Sequence, residues 1–379
     1  MFSRRVVTTL AAVAAGTAAA GAAQAAPDLT GAKFRQILGK VEKVTSTHGI
    51  DEAKAVTIGG IPQWITVRGR DRRNPILLVL HGGPAAPELP TRYLFEAPWT
   101  DYFTVVEWDQ RGAGETYALN DPAKVAPTLT EDRMVADAEE LVAYLRTTYG
   151  KRKIFVMGHS WGTVLGMRVA EDRPQWLYAY IGMGQIISMR EGEKAGYAWV
   201  LKAAAADHND KALAELKAIA PYPEANGALP IEKIDTERKW SVHYGGLIHG
   251  RDTYDDLSDA QRLSPDYPQA DVEAVVDAGS GFSFPKLLPQ MAATDFRKVA
   301  KLDCPILIFA GRYDYTTPTA PVVAWYDALK APKKKLVWFE NSAHMMSIEE
   351  PGKVLMHLVQ DARPLAVAAG DAAPAEATR

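Results

Sequence analysis

Ile154-Phe155-Val156-Met157-Gly158-His159-Ser160-Trp161-Gly162 is four apolar residues followed by a Gly-x-Ser-x-Gly pentapeptide, and residues 163–171 continue in a helical pattern. A buried strand, a sharp glycine-flanked turn and a helix are the setting in which such a serine becomes a nucleophile at the top of a parallel sheet. The turn lifts the hydroxyl above the strand, and glycines flank it because side chains there would collide with the strand or the helix. Ser160 is therefore the candidate nucleophile.

Working outward, other short apolar runs read as parallel strands buried on both faces. They are Ile76-Leu77-Leu78-Val79-Leu80, Phe103-Thr104-Val105-Val106-Glu107-Trp108, Ile306-Leu307-Ile308-Phe309 and Leu336-Val337-Trp338-Phe339. Residues 56–67, broken by Gly59-Gly60, read as an opening antiparallel hairpin. Residues 131–149 start acidic and end at Gly150, as helix termini prefer. The fold class expected is α/β: an α/β-hydrolase fold, a mostly parallel central sheet flanked by helices, over residues 26–184 and 298–361. Residues 185–297 lose the strand-and-turn rhythm and read as an inserted helical cap over the site. Residues 362–379, rich in Ala, Pro, Gly and Asp without periodicity, read as a disordered tail.

A serine hydroxyl is a poor nucleophile at neutral pH, so a base must take its proton and an acid must orient that base. In this fold the order is serine, acid, histidine, each at a strand end. Gly311-Arg312-Tyr313-Asp314 follows the 306–309 strand, and Asn341-Ser342-Ala343-His344 follows the 336–339 strand. That makes Asp314 the acid and His344 the base. His357, the other histidine beyond Asp314, falls inside the terminal helix and reads as an ordinary helix-face residue. The growing oxyanion needs preorganised N–H donors. Trp161, next after the nucleophile, supplies one. His81-Gly82-Gly83-Pro84 supplies the other: Pro84 has no N–H, so Gly83 is the candidate and Gly82 the fallback.

These pieces together resemble the proline iminopeptidase group of α/β-hydrolases, serine aminopeptidases that release amino-terminal residues. The resemblance spans residues 60–360 and rests on His81-Gly82-Gly83-Pro84, Trp108-Asp109-Gln110-Arg111-Gly112, Gly158-His159-Ser160-Trp161-Gly162 and Gly311-Arg312-Tyr313-Asp314. It implies that acidic cap residues hold the substrate's free amine, and Met189-Arg190-Glu191-Gly192-Glu193 matches the segment that supplies one, with Glu193 as the match. Asp109 and Arg111 read as an ion pair shaping the neighbouring loop. The chain departs from the group at Ala85-Ala86-Pro87, at Ala113-Gly114-Glu115-Thr116 and at His159, where glycine is common; these loops line the approach to Ser160 and bear on the substrate.

Among 379 residues, 47% are hydrophobic and 23% charged, the balance of an ordinary globular protein. The net charge of -3 gives no basic surface for nucleic acid. Arg4 and Arg5, an Ala-rich run and Ala23-Gln24-Ala25 read as an export signal over residues 1–25, of Sec or twin-arginine type, implying a periplasmic or secreted protein without stable membrane association. Cys304 is the single cysteine, so an internal disulfide is excluded, and it reads as a small buried residue at a strand start. No His-Glu-x-x-His or paired-cysteine motif occurs, and no cofactor is expected. The expected partner is a small peptide, or an ester or amide. A small-molecule esterase is the alternative activity, and an idle binding protein on a hydrolase scaffold the alternative class. Dehalogenase chemistry is disfavoured because that branch of the fold has Asp where Ser160 stands.

Overall fold

The computed structural model describes residues 30–267 and 272–374. The export signal read over residues 1–25 lies outside them. Eight strands form one sheet: β1 (Ile50–Ile58), β2 (Ile61–Gly69), β3 (Ile76–Leu80), β4 (Thr104–Trp108), β5 (Ile154–His159), β6 (Leu177–Met183), β7 (Ile306–Gly311) and β8 (Lys334–Phe339). Their spatial order is β1-β2-β4-β3-β5-β6-β7-β8. The β1–β2 hairpin and the β2–β4 pairing are antiparallel, and every later pairing is parallel. The hairpin runs longer in both directions than the sequence pattern suggested.

Alternate residues of the central strands serve opposite faces, which is why these strands read as unbroken apolar runs. In β3, Ile76, Leu78 and Leu80 join one core cluster while Leu77 and Val79 join the other. The first cluster is completed by Leu141, Val142 and Leu145 of the helix Glu131–Thr148 and by Val164, Leu165 and Met167 of the helix Gly162–Asp172. Thr130 caps the former helix by accepting the Arg133 N–H, and Glu131 and Asp132 complement its dipole.

The second cluster corrects the expected disordered tail. Residues 363–368 are helical, and Ala362 and Ala366 are fully buried beside Val354 and Leu358 under the sheet. Beyond that helix, Asp371 takes the Lys151 ammonium at 2.7 Å and the Tyr178 hydroxyl at 3.0 Å. Alanine supplies little hydrophobic signal, so its packing against a ready-made face left no period in the sequence.

Between β6 and β7 lie the helices Met189–Ala206, Asp210–Ala218, Ile231–His243 and Val272–Met291, the helical insertion read from residues 185–297. Among the described residues no helix is long and apolar enough to cross a membrane.

Candidate active site

The elbow forms where β5 meets the following helix. Ser160 has φ +51°, the left-handed region that a residue with a Cβ enters only when its surroundings hold it there. Its N–H donates to the Met183 carbonyl at 3.0 Å, and its carbonyl accepts from Thr163 N–H at 2.8 Å and Thr163 Oγ1 at 2.6 Å. The backbone is thus pinned on both sides while the residue stays partly exposed. Gly162 is required by close approach: a Cβ there would lie 1.8 Å from the Leu80 carbonyl oxygen.

Asp314 and His344 come from the loops after β7 and β8. His344 Nδ1 meets Asp314 Oδ2 at 2.9 Å, with both side chains buried. Thr317 donates its N–H to Asp314 Oδ1 at 2.8 Å and its hydroxyl to Oδ2 at 2.9 Å, so the carboxylate is oriented before the imidazole arrives. Two contacts place that imidazole at the elbow. The His344 ring lies 4.8 Å from the ring of His159, the neighbour of Ser160. A Cβ on Gly184, next after the Met183 that holds Ser160, would lie 2.7 Å from His344 Cε1. The insertion stitches both loops in place: Tyr315 N–H donates to the Gly246 carbonyl at 3.2 Å and His344 N–H to the Leu247 carbonyl at 3.0 Å. Trp199 stacks on Tyr315 with ring centroids 3.9 Å apart.

The loop after β3 reaches the same corner. A Cβ on Gly82 would lie 3.1 Å from Ser160 Cβ and 3.7 Å from its Oγ, so the glycine lets the loop backbone approach the hydroxyl. Gly83 follows at φ +108°, exposed. Trp161 sits at the N-cap of the helix Gly162–Asp172, where the first N–H groups have no intrahelical acceptor. Gln110, to which the sequence reading gave no role, joins the two arms. Its Nε2 donates to the His81 carbonyl at 3.0 Å and its Oε1 accepts the Trp161 indole N–H at 3.1 Å. Its place in the Asp-Gln-Arg-Gly stretch was the available signal.

Other sequence readings resolve differently. Arg111 pairs with Asp137 at 2.7 Å and not with Asp109, because Asp137 projects from the helix Glu131–Thr148 across the hairpin turn at Gly59. Asp109 instead accepts from the Glu115 N–H and the Tyr267 hydroxyl, both at 2.8 Å, and burial pushes its carboxyl up to about 7. Glu193 is buried, and its two oxygens meet the Arg238 guanidinium and the Tyr222 hydroxyl. Arg238 also contacts Glu237, whose Oε1 has no partner and whose carboxyl is pushed up to about 7, chiefly by burial. A small cavity of about 20 Å³ is lined by Thr316, Thr317, Ile186, Ile187, Met189 and Glu193. His159, the departure beside the nucleophile, contacts Glu88 through Nδ1 and the His344 carbonyl through Nε2 at 3.1 Å. Glu88 was missed because nothing local marks it. Cys304 is buried, and burial pushes its thiol up to about 11. Among the described residues no group of three or more His, Cys, Asp or Glu side chains is arranged to hold a metal ion.

Residues 76–351 match the family model described as serine aminopeptidase, S33. A probable aminopeptidase, YbaC, of Bacillus subtilis is 28% identical over 316 residues, 82% of this chain and 96% of the relative. A proline iminopeptidase of Heyndrickxia coagulans is 27% identical over 282 residues, 74% of this chain and 87% of the relative. Among solved structures, proline iminopeptidase of Mycobacterium smegmatis superposes with a TM-score of 0.60 at 18% identity, covering 84% of this chain and all of that one. An esterase from Exiguobacterium antarcticum reaches 0.52 at 16% identity, over 81% and 98% of the two chains. At such identities the likeness establishes the α/β-hydrolase fold.

Proposed function

The chain belongs to the serine aminopeptidase family S33, and we propose that within it this protein is an exported serine hydrolase that removes amino-terminal residues from peptides through an acyl-enzyme. The observation that carries the reading is the His344–Asp314 bond of 2.9 Å at the same corner as a serine held at positive φ. With Nδ1–H committed to Asp314, His344 Nε2 is the nitrogen left to take the Ser160 proton as Oγ attacks the carbonyl carbon. Trp161 and Gly83 N–H groups, with Gly82 as the fallback, hold the oxyanion. His344 then gives its proton to the departing amine, and a water deprotonated by the same imidazole releases the acyl group.

The substrate reading is supported by the apolar residues Ile186, Ile187, Met189 and Val322, which line the same small cavity as Glu193. The Glu193–Arg238–Glu237 cluster sets two carboxyl groups against one guanidinium, and with Glu237 raised to about 7 its net negative charge toward the substrate's ammonium grows as pH rises through that value. Glu193 would be reached by sharing with Arg238. The Sec or twin-arginine type signal at the amino terminus supports export to the periplasm or beyond, and a mature chain found only in the cytosolic fraction would oppose it.

A second reading, an esterase or other small-molecule hydrolase, is favoured by one observation: both Glu193 oxygens already have partners within the chain. Turnover of aminoacyl-naphthylamides against short acyl esters separates the two. Cleavage of Pro- or Ala-naphthylamide that is lost on blocking the amine is expected, and activity on esters alone overturns the peptidase reading. Failure of a fluorophosphonate to label Ser160 in folded protein would favour a binding role.

A further inference from the structure

Two loops must keep register for the proposed chemistry: the loop after β3, which brings the oxyanion donors, and the loop after β8, which brings His344. One side chain touches both. His159 Nδ1 meets the carboxylate of Glu88, which lies beyond the Gly82-Gly83 turn, and its Nε2 meets the His344 carbonyl at 3.1 Å. A carboxylate and a carbonyl only accept, and a neutral imidazole carries a single N–H. Both bonds therefore require two ring protons. The proton facing Glu88 stays with the ring because imidazole is the stronger base, by about two pKa units in ordinary surroundings.

We propose that His159 is a positioning residue held as an imidazolium, whose two N–H bonds lock the base-bearing loop against the oxyanion loop. The inference rests on the reading of His344 as the base.

The surroundings agree. His159 is buried, and the groups facing it are Glu88, the His344 ring and carbonyl, Asp314 and, more distantly, His81. Burial is the largest influence and opposes its charge, but the Glu88 carboxylate, the His344 carbonyl and Asp314 together hold the imidazolium above its ordinary range. Glu88 is correspondingly held below the usual carboxylate range: burial raises it and His159 lowers it further. The Glu88 carboxylate offsets part of the repulsion between this ring and the second imidazolium that forms transiently on His344, 4.8 Å away. Loss of one His159 proton at alkaline pH leaves the remaining proton opposite the Glu88 carboxylate, turns the Nε2 lone pair toward the His344 carbonyl, and so frees one loop from the other. This gives an alkaline limb that belongs to neither the nucleophile nor the base.

The test has two arms on full-length mature protein. In spectra of ¹⁵N-histidine protein at pH 7, the ring signal that disappears in His159→Gln is expected to show both nitrogens protonated; a singly protonated ring overturns the proposal. In the second arm, the rate of fluorophosphonate labelling is followed from pH 6 to 10. Glu88→Gln keeps the acceptor but removes the charge, and its alkaline limb is expected to move toward neutrality by one pH unit or more. His159→Gln is expected to label at least tenfold more slowly. Superimposable profiles for wild type and a folded Glu88→Gln overturn the positioning role. Should folded wild type not label at all, the hydrolase reading fails, and the ring-nitrogen spectrum alone decides the charge of His159.

Discussion

Two histidines near the elbow show how partners decide protonation at the scale of one residue. His81 Nε2 accepts the Gln110 N–H at 3.2 Å, so its only proton sits on Nδ1 and is given to the Gly82 carbonyl at 2.8 Å. Burial pushes its pKa down to about 4, and the ring is neutral at pH 7. His159, facing two acceptors, is the opposite case. For His344 the tautomer depends on Asp314. Asp314→Asn would present an amide N–H to Nδ1 and favour the wrong tautomer, with an expected fall in kcat of about 10⁴ and little change in folding. Ser160→Ala is expected to lose activity by roughly 10⁶, measured on the best naphthylamide. Asp109 sets a pH dependence of stability. Its carboxyl, raised to about 7 by burial, keeps its proton longer in the folded chain than in the unfolded one. The stabilisation it gives is full below about pH 4 and is lost as pH rises through about 7, on the order of 4 kcal/mol once ionised. Urea unfolding should therefore fall more steeply between pH 5 and 8 in wild type than in Asp109→Asn; parallel curves would count against this assignment.

Elements contribute by how closely they approach. The crossing of the helix Gly162–Asp172 over β3 leaves no room at Gly162, and Gly162→Val is expected to abolish soluble folded protein, because backbone and not a flexible side chain would have to move. Between the two turns proposed to carry the oxyanion donors, Gln110 is the only side chain bonded to both His81 and Trp161 among the described residues. Gln110→Ala should lower kcat by roughly tenfold to a hundredfold, below the 10² to 10³ loss that follows removal of a donor itself. KM should change little. An unchanged kcat in a folded variant would show that the two turns hold their register without this clamp.

Across the whole molecule, the insertion is fastened to the core by buried charge. Asp266 forms an ion pair with Arg92, Nε lying 2.6 Å from Oδ2, accepts a hydrogen bond from Arg92 Nη2 at 2.9 Å and also contacts Arg68, while the neighbouring Tyr267 reaches Asp109. Removing one partner of a buried pair strands the other, so Arg92→Met is expected to destabilise by about 3–5 kcal/mol in chemical unfolding. Truncation after residue 362 removes Ala366 from the second core cluster and Asp371 from Lys151. A melting temperature lowered by several degrees is expected, whereas a true tail would leave it unchanged.

The strand, turn and helix around Ser160, the placement of Asp314 and His344 after two later strands, and the α/β class were legible in the chain because each is written locally. Burial on both faces produces continuous apolar runs, and steric crowding at the elbow produces glycines two residues either side of the serine. Pairings between distant side chains were not legible. Arg111 and Asp137 stand 26 residues apart, Glu193 and Arg238 45, and Glu88 and His159 71. Which of many equivalent charges meets which depends on the order of strands in the sheet and on where the insertion folds back, and one sequence carries no record of either. The same reason hid the packed carboxy-terminal helix: its alanines are held by the face they meet, and that face exists only once the sheet has formed.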